Sequence, residues 1–422
     1  MFLLRRMQTL VLCALALHVL PFCEAAGSAI KLPPITGELT GKTTFLQLPG
    51  NPMVEWKMRL EGGADGARHG DVELVGAGSQ VHLTLDFNSA DGNGKWEIVE
   101  SRLDAATWFA LISPLLKIDT HGLVVAGNFH LTGSGSIQDG KPAGAAQLTW
   151  TGGSVSNPAQ GWRLDGITLK ADVAADSGTG TVLRSNRPWQ LNIATITTTR
   201  FGARNLAMSA VLNDDRTLYL QSAKIELAGG DVTIDPATIE LSPVLFAVTV
   251  HANRIGLQDL VALVPTSLAD ARGRIDGSLT FGWSGSAGLI IGEGGFVLRQ
   301  DEVATLRLVP RPGFLTGGVP ERIPLLPKWT GPLGALIAPK NPVYGDVHAI
   351  ELGETELQIK SFDFQARPKG DERNRTAVIQ VSARPYKEGG PVKLVTFDIN
   401  VEGPLSALLQ VGMTEERTFV VH

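Results

Sequence analysis

The chain has 422 residues, among them 48 glycines, 24 prolines and only 3 tyrosines, and carries 37 basic against 42 acidic side chains, a formal charge of −5. Both signs are interspersed, which excludes a polybasic patch for nucleic acid or for an acidic membrane surface. The only cysteines, Cys13 and Cys23, sit near the N-terminus, so the rest of the chain has neither a disulfide nor a thiol nucleophile to offer.

The first element is an export signal, expected over residues 1–25. Arg5 and Arg6 precede an apolar run from Leu10 to Phe22, which is shorter than the roughly 20 residues of a spanning helix. Small residues follow at Ala25 and Ala26, where cleavage is expected. Lipidation at Cys23 is an alternative, although Phe22 stands where a lipoprotein signal has a small side chain; an uncleaved anchor is a third. The exported chain would carry 35 basic and 41 acidic residues and fold on burial alone.

GELTGKTT (37–44) resembles a phosphate loop, but only three residues separate Gly37 from Gly41 where four are required, and Leu32, Pro33 and Pro34 precede it instead of a buried strand. No nucleotide is expected there. Clean period-2 alternation then begins. In VEWKMRL, Val54, Trp56, Met58 and Leu60 share one face against Glu55, Lys57 and Arg59. In VHLTLDF, Val81, Leu83, Leu85 and Phe87 oppose His82, Thr84 and Asp86. Such segments are strands with one apolar and one wet side.

SRLDAATWFALISPLL (101–116) reads as a short helix capped by Asp104, with Leu103, Trp108, Leu111, Ile112 and Leu115 as its apolar stripe. The alternating strand GNFHLTGSGS (127–136) follows, with Phe129 and Leu131 on its apolar face. Further strands are expected at Trp189–Ile193, Val232–Ile234, Phe246–Val250 (apolar positions Phe246, Val248, Val250), Leu357–Ile359 and Val395–Val401. Turns fall at DGNG (91–94), NDD (213–215), AGGD (228–231) and KEGG (387–390). A second helix over 253–265, with Leu257, Leu260, Val261 and Val264 apolar, precedes GSLTFGWSGS (277–286), where Leu279 and Phe281 match Phe129 and Leu131 at an offset of 150. A partial third copy, FDINVEGPLSALLQVGM, closes the chain at 397–413. A strand, helix, strand unit written more than once predicts growth of the fold by similar additions.

Four stretches carry a family resemblance: GGDVTIDP (229–236), RIGLQDLVAL (254–263), GRIDGSL (273–279) and FDINVEGPLSALL (397–409). They resemble the C-terminal region of the YdbH-like proteins, within the AsmA-like group of bridge-type intermembrane lipid-transfer proteins, whose C-terminal domain often bears the label "dicarboxylate transport". The resemblance spans roughly residues 200–413, the N-terminal half being similar in style only. It implies a lipid-conducting protein of the envelope. Members are usually longer and carry an N-terminal membrane helix, which leaves a bridge from membrane to membrane by this chain alone an open matter.

The residues lead to a similar expectation. An antiparallel sheet with one apolar face must cover it with helices, a second sheet or a ligand. Helical material is scarce here, so the expected fold is mainly β: an elongated, curled, taco-like antiparallel groove with a few short helices. Its N-terminal part would occupy 26–200 and its family-like C-terminal part 201–422. At a spacing near 4.8 Å per strand, roughly 25 to 30 strands would reach about 120 to 140 Å. Phospholipid acyl chains would complete the core. The expected lining is Val54, Trp56, Met58, Leu60, Val81, Leu83, Leu85, Phe87, Phe129, Leu131, Val232, Ile234, Phe246, Val248, Val250, Leu279, Phe281, Val395, Phe397, Ile399 and Val401. After these, Leu405, Leu408, Leu409 and Val411 would close or extend the groove or plug the core. The alternative is that apolar faces pack on each other as dry sandwiches, giving a secreted or surface β protein with a structural or carbohydrate-binding role.

Catalytic signatures are weak. No Gly-x-Ser-x-Gly elbow or His-Glu-x-x-His is present. His82, His121, His130 and His251 read as wet-face residues rather than metal ligands, and Asp214 with Asp215 as a solvated turn. The expectation is a non-enzymatic protein without cofactor or metal, exported to the periplasm or membrane-associated in the envelope. Its partners would be phospholipid and, by edge-strand docking, a membrane or another envelope protein, with no nucleic acid.

Overall fold

The computed structural model describes residues 36–402 apart from 45–52, 63–66, 89–92, 117–121, 139–140, 177–181, 200, 215, 242, 262–267, 286–287, 324–337, 373–374 and 387–388. The export signal and the segment from 405 to 411 therefore lie outside the described residues. Within them the protein is mainly β, as expected, with 22 strands and three short α-helices, and the strand pairs are antiparallel. The chain divides into two compact units: Met1–Thr199, Ala203–Lys224 and Pro236–Phe246 form the first, and Arg200–Gly202, Ile225–Asp235 and Ala247–His422 the second.

In chain order the elements begin with β1 (Gly37–Thr44), β2 (Met53–Gly62), β3 (Ala67–Gly76), β4 (Ser79–Asn88), β5 (Gly94–Asp104) and helix α1 (Ala105–Leu116). Long strands follow: β6 (Val124–Gln138), β7 (Lys141–Asn157) and β8 (Trp162–Asp176), then β9 (Val182–Arg184), β10 (Trp189–Thr197), β11 (Gly202–Leu212) and β12 (Thr217–Leu227). In the first unit β1 to β8 pair successively as a meander, and β10 pairs with β8. GELTGKTT is thus a strand in register with β2, and the indole of Trp56 lies over Gly41: a Cβ at residue 41 would come within 2.5 Å of it.

The first helix is built as the sequence predicts. Ala77 and Gly78 take positive φ in the two-residue turn between β3 and β4, the geometry that a tight hairpin requires. The Gly78 carbonyl accepts a hydrogen bond from Asp104 N at 2.7 Å. Asp104 in turn caps α1, accepting from Thr107 N at 2.8 Å and from its hydroxyl at 2.6 Å. Trp108 Nε1 donates to Ser79 Oγ at 2.7 Å. The side chains of Leu111, Ile112 and Leu115 lie outside the description.

The chain continues through β13 (Gly230–Ile234), β14 (Ala237–Leu241), β15 (Val244–Gly256), α2 (Leu257–Val261), β16 (Leu268–Arg272), β17 (Arg274–Ser284), β18 (Gly288–Leu298) and β19 (Thr305–Leu308). Helix α3 (Pro342–Glu351) and strands β20 (Leu357–Ala366), β21 (Arg375–Pro385) and β22 (Val395–Glu402) complete it. The helix expected from residue 253 starts only at Leu257, because Asn253 is still in register with Asp231 of β13 and Arg254 N donates to Asp276 Oδ1 at 2.6 Å. The helix is entered as α1 is, from a hairpin tip: Gly256 N donates to Ala228 O at 2.8 Å. Leu260 and Val264 are not among the described side chains.

The core of the second unit gathers Ile255, Leu257, Ile275, Leu298, Leu306, Ile350, Leu357, Ile359 and Val381. Helix α3 covers part of it and was not foreseen, although NPVYGDVHAIELG carries the signature: Asn341 Oδ1 accepts from Val343 N at 3.1 Å, Pro342 follows at the first helical position, and Gly353 has φ +68° beyond the end. Its last residue, Glu351, is 1% exposed. Burial by itself would raise the pKa of that carboxyl. Hydrogen bonds from Thr316 N at 3.0 Å, the Thr316 hydroxyl at 2.8 Å and Leu315 N at 2.9 Å, with Gly313 N, outweigh it and hold the value at about 2.

This buried carboxylate fastens the 313–316 segment to α3. Glu351→Ala should lower stability by about 3 kcal/mol, since it leaves buried donors without their charged acceptor. The depressed pKa also fixes a pH window. The contribution is complete above the ordinary value of 4.5 and is lost as pH falls toward about 2. Denaturant melts of wild type and Glu351→Gln, taken from about pH 6 down to about pH 2.5, should converge as pH falls; curves that stay parallel would show that folding does not shift the Glu351 pKa.

Candidate functional site

One face of each unit concentrates the apolar side chains. In the first unit, Leu39, Met58, Val72, Leu83, Ile98 and Gly133 stand in one row across β1 to β6. The neighbouring row runs Leu60, Gly70, Leu85, Trp96, Gly135, Gly144. A third runs Leu103, Phe129, Trp150, Leu169 and Leu191 through β5, β6, β7, β8 and β10. The rings of Phe129 and Trp150 lie 5.2 Å apart, tilted by 50°, a favourable aromatic contact.

Glycine shapes this face. The Trp96 indole lies down on β6 and β7, where a Cβ at Gly135 would come to 2.7 Å of Nε1 and one at Gly144 to 2.9 Å of Cζ2. Trp96 is buried and its Nε1 finds no hydrogen-bond partner, so the ring serves as an apolar plate.

The ten expected lining residues of the first meander, Val54, Trp56, Met58, Leu60, Val81, Leu83, Leu85, Phe87, Phe129 and Leu131, occupy inward positions of β2, β4 and β6. Leu83 and Leu85 are buried with Val72, Trp96 and Ile98, and Met58, Val81 and Leu131 pack against that cluster. Val54 is buried too, and Trp56, Leu60, Phe87 and Phe129 are half-buried. Sequence reasoning missed Val72, Leu74, Trp96, Ile98 and Trp150. In β3, Arg68 and Gly70 fill inward positions and interrupt the apolar alternation. In β5, a bulge between Ile98 and Leu103 turns both Val99 and Glu100 outward. Ser101 closes that bulge, donating to Leu131 O at 2.8 Å and accepting from Leu131 N at 2.5 Å.

In the second unit, Leu279 packs with Ile291, Ala366 and Ala377, and Phe281, Phe296 and Phe364 lie against them. Phe296 and Phe364 stack at 5.8 Å. Val232, Val395 and Phe397 instead pack on the core that α3 covers. Ile234 stands opposite Val250; both are half-buried, as are Val248 and, in the first unit, Phe246. Ile399 and Val401 are in register with Ile379 and Ala377, while their side chains lie outside the description.

The opposite face is ionic. Lys57 meets Glu38 at 3.1 Å, His82 meets Asp71 at 3.1 Å and His251 meets Asp235 at 2.9 Å. His69 lies 2.6 Å from Asp86, whose hydrogen bond raises the imidazole pKa. Each is a cross-strand pair that reaches solvent and has small energetic weight. His130 lies on the face opposite Phe129 and Leu131, half-buried there, with Nδ1 2.9 Å from Ser101 O at the β5 bulge. His121 and Asp215 lie outside the described residues. Asp214 accepts from Arg216 N and Thr217 N, both at 2.8 Å, and these bonds hold its pKa down, as a turn-forming carboxylate does. Among the described residues no three His, Cys, Asp or Glu side chains gather to hold a metal ion, and no helix is long and apolar enough to cross a membrane.

A family model, YdbH-like, described as intermembrane phospholipid transport protein YdbH, matches residues 27–315. No curated protein and no solved structure matches the chain. The family match corrects the extent of the resemblance: it takes in the N-terminal half, which the motifs left as similar in style only, and ends before α3 and β20 to β22. It covers more than half of the sequence, and the chain therefore belongs to the YdbH-like family.

Proposed function

We propose that this protein is a non-enzymatic envelope component that moves phospholipid between membranes by giving acyl chains a path along its apolar strand faces. Membership of the family supports phospholipid transport in general. The observation that carries the finer reading is the row of Leu103, Phe129, Trp150, Leu169 and Leu191, which spans five strands of the first unit on one face. A surface of aliphatic and aromatic carbon offers dispersion and hydrophobic contact without directional hydrogen bonds, so a chain can slide on it without being trapped. The glycines under Trp96 and Trp56 serve the same end, because they let large rings lie flat. In the second unit the path would follow Leu279, Phe281 and Phe364, since Val232, Val395 and Phe397 are occupied with the covered core and Phe296 packs against both clusters.

The export signal, the periplasmic location and the strand-helix-strand repeat belong to this reading. It is supported by a shared device: both α1 and α2 follow a strand whose end hydrogen-bonds to a hairpin tip, Gly78 for the first and Ala228 for the second.

Native mass spectrometry of the purified exported chain should show bound phospholipid; a lipid-free spectrum after gentle purification would remove the acyl path. Replacing Phe129 or Phe281 by Glu places a charge beside that path, at a cost of several kcal/mol to an acyl chain passing it. Both variants should fold, with melting temperatures within a few degrees of wild type by circular dichroism, and should carry at least about fivefold less lipid, or roughly 1 kcal/mol. Unfolding of both would mean that these rings sit in closed, dry packing instead.

A further inference from the structure

Strand β1 carries a pattern that fits a second copy of itself. Among the described residues its partner in register is β2, and Gly37, Glu38, Leu39, Thr40, Lys42 and Thr44 are all exposed. A Cβ placed on Gly37 would meet nothing within 4 Å. The side of β1 away from β2 thus presents backbone donors and acceptors along its length. An edge defended against pairing shows an incoming strand like charges, proline or a bulge. β1 instead has one acid and one base, Glu38 and Lys42, each two residues from Thr40.

Antiparallel pairing of two β1 strands about Thr40 sets Glu38 of each copy against Lys42 of the other, the isologous arrangement of a two-fold dimer. Within one copy Lys42 already meets Glu55 at 2.5 Å and Glu38 meets Lys57 at 3.1 Å, and Lys57 is in register with Glu73 of β3. The rung across the junction would read Glu55 and Lys42, then Glu38, Lys57 and Glu73 of the second copy, with the sign changing at every step. Centring the pair on residue 38 or 42 instead would oppose like charges. The apolar side matches in the same register, because directly opposed side chains leave a sheet on one face. Leu39 of the second copy falls opposite Gly41, where the Trp56 indole fills the space of the missing side chain and donates to Thr43 Oγ1 at 3.2 Å. Leu39, 41% exposed in the single chain, would close against that ring. Strand β22, in register with β21, has Asp398 and Glu402 but no base, so it lacks this symmetry.

We infer that β1 is a homodimerisation edge, through which two copies join antiparallel about Thr40 and the apolar row of Leu39, Met58 and Val72 continues into the Gly41 and Trp56 of the other copy. The dimer does not rest on the acyl path proposed above. Sedimentation velocity of the purified chain should show a monomer–dimer equilibrium with a Kd on the order of 10 μM, in the range of a small interface. Glu38→Lys and Lys42→Glu each create two like-charge pairs across the junction and should each weaken the dimer by about tenfold, or roughly 1.4 kcal/mol. Mixed in equal amounts, the two variants again oppose acid to base at both positions, so the mixture should dimerise as wild type does. That rescue separates charge matching from misfolding. Phe129→Glu, which should empty the acyl path, should leave the dimer unchanged. A chain still monomeric at about 100 μM would overturn the inference and leave the edge to a segment of its own chain or to a different protein. Single variants that dimerise like wild type, or a mixture that stays as weak as its components, would overturn it as well.

Discussion

The constraint on which the rest depends is the two-residue period of an extended chain. Successive side chains leave a strand on opposite sides, so a strand such as β2 puts Val54, Trp56, Met58 and Leu60 on one surface and Glu55, Lys57 and Arg59 on the other without further instruction. Antiparallel pairing in register then adds row to row. The ionic pairs Lys57–Glu38, His82–Asp71 and His251–Asp235 mark the wet surface, and the apolar rows mark its reverse. A slip of one residue in any pairing would exchange the two surfaces. The cross-strand charge pairs, individually weak, therefore help register more than they help stability.

That same constraint creates the need that defines the protein. An apolar face must be covered by something, and the two units solve this differently at different places. Around Leu357 and Ile350 the second unit covers itself with α3, held by the buried carboxylate of Glu351. Across Phe129, Trp150, Leu169 and Leu191 the residues of the first unit form a broad apolar row. A covered core stores stability, and a broad row is what the proposed acyl path would use. Glu351 belongs to the second unit and Phe129 to the first, so folding and the proposed acyl path can be tested by different substitutions.

Glycine is the second recurring device. At Gly41, Gly135 and Gly144 the missing Cβ makes room for an indole plane rather than for a turn, while at Gly78 a positive φ permits a hairpin tip that also receives the end of β5. Both uses explain a glycine-rich sequence that is nevertheless highly ordered in strands, where glycine otherwise weakens pairing.

Class, antiparallel pairing, the Asp104 cap, the apolar positions of β2, β4 and β6 and the family itself were determined by the sequence, because alternation, capping chemistry and short motifs are local properties. Tertiary structure decided what depends on neighbours. Val72 and Leu74 belong with the first cluster although Arg68 and Gly70 break the pattern of their strand, and Trp96, Ile98 and Trp150 join the face only once the β5 bulge and the glycine floors are in place. Val232, Val395 and Phe397, indistinguishable in sequence from Phe129, pack on a core covered by a helix whose Asn341–Pro342 start is local but whose hold on residues 313–316 is not. A side chain's periodicity states which face it takes; whether that face meets protein or stays open is settled by what the rest of the chain brings to it.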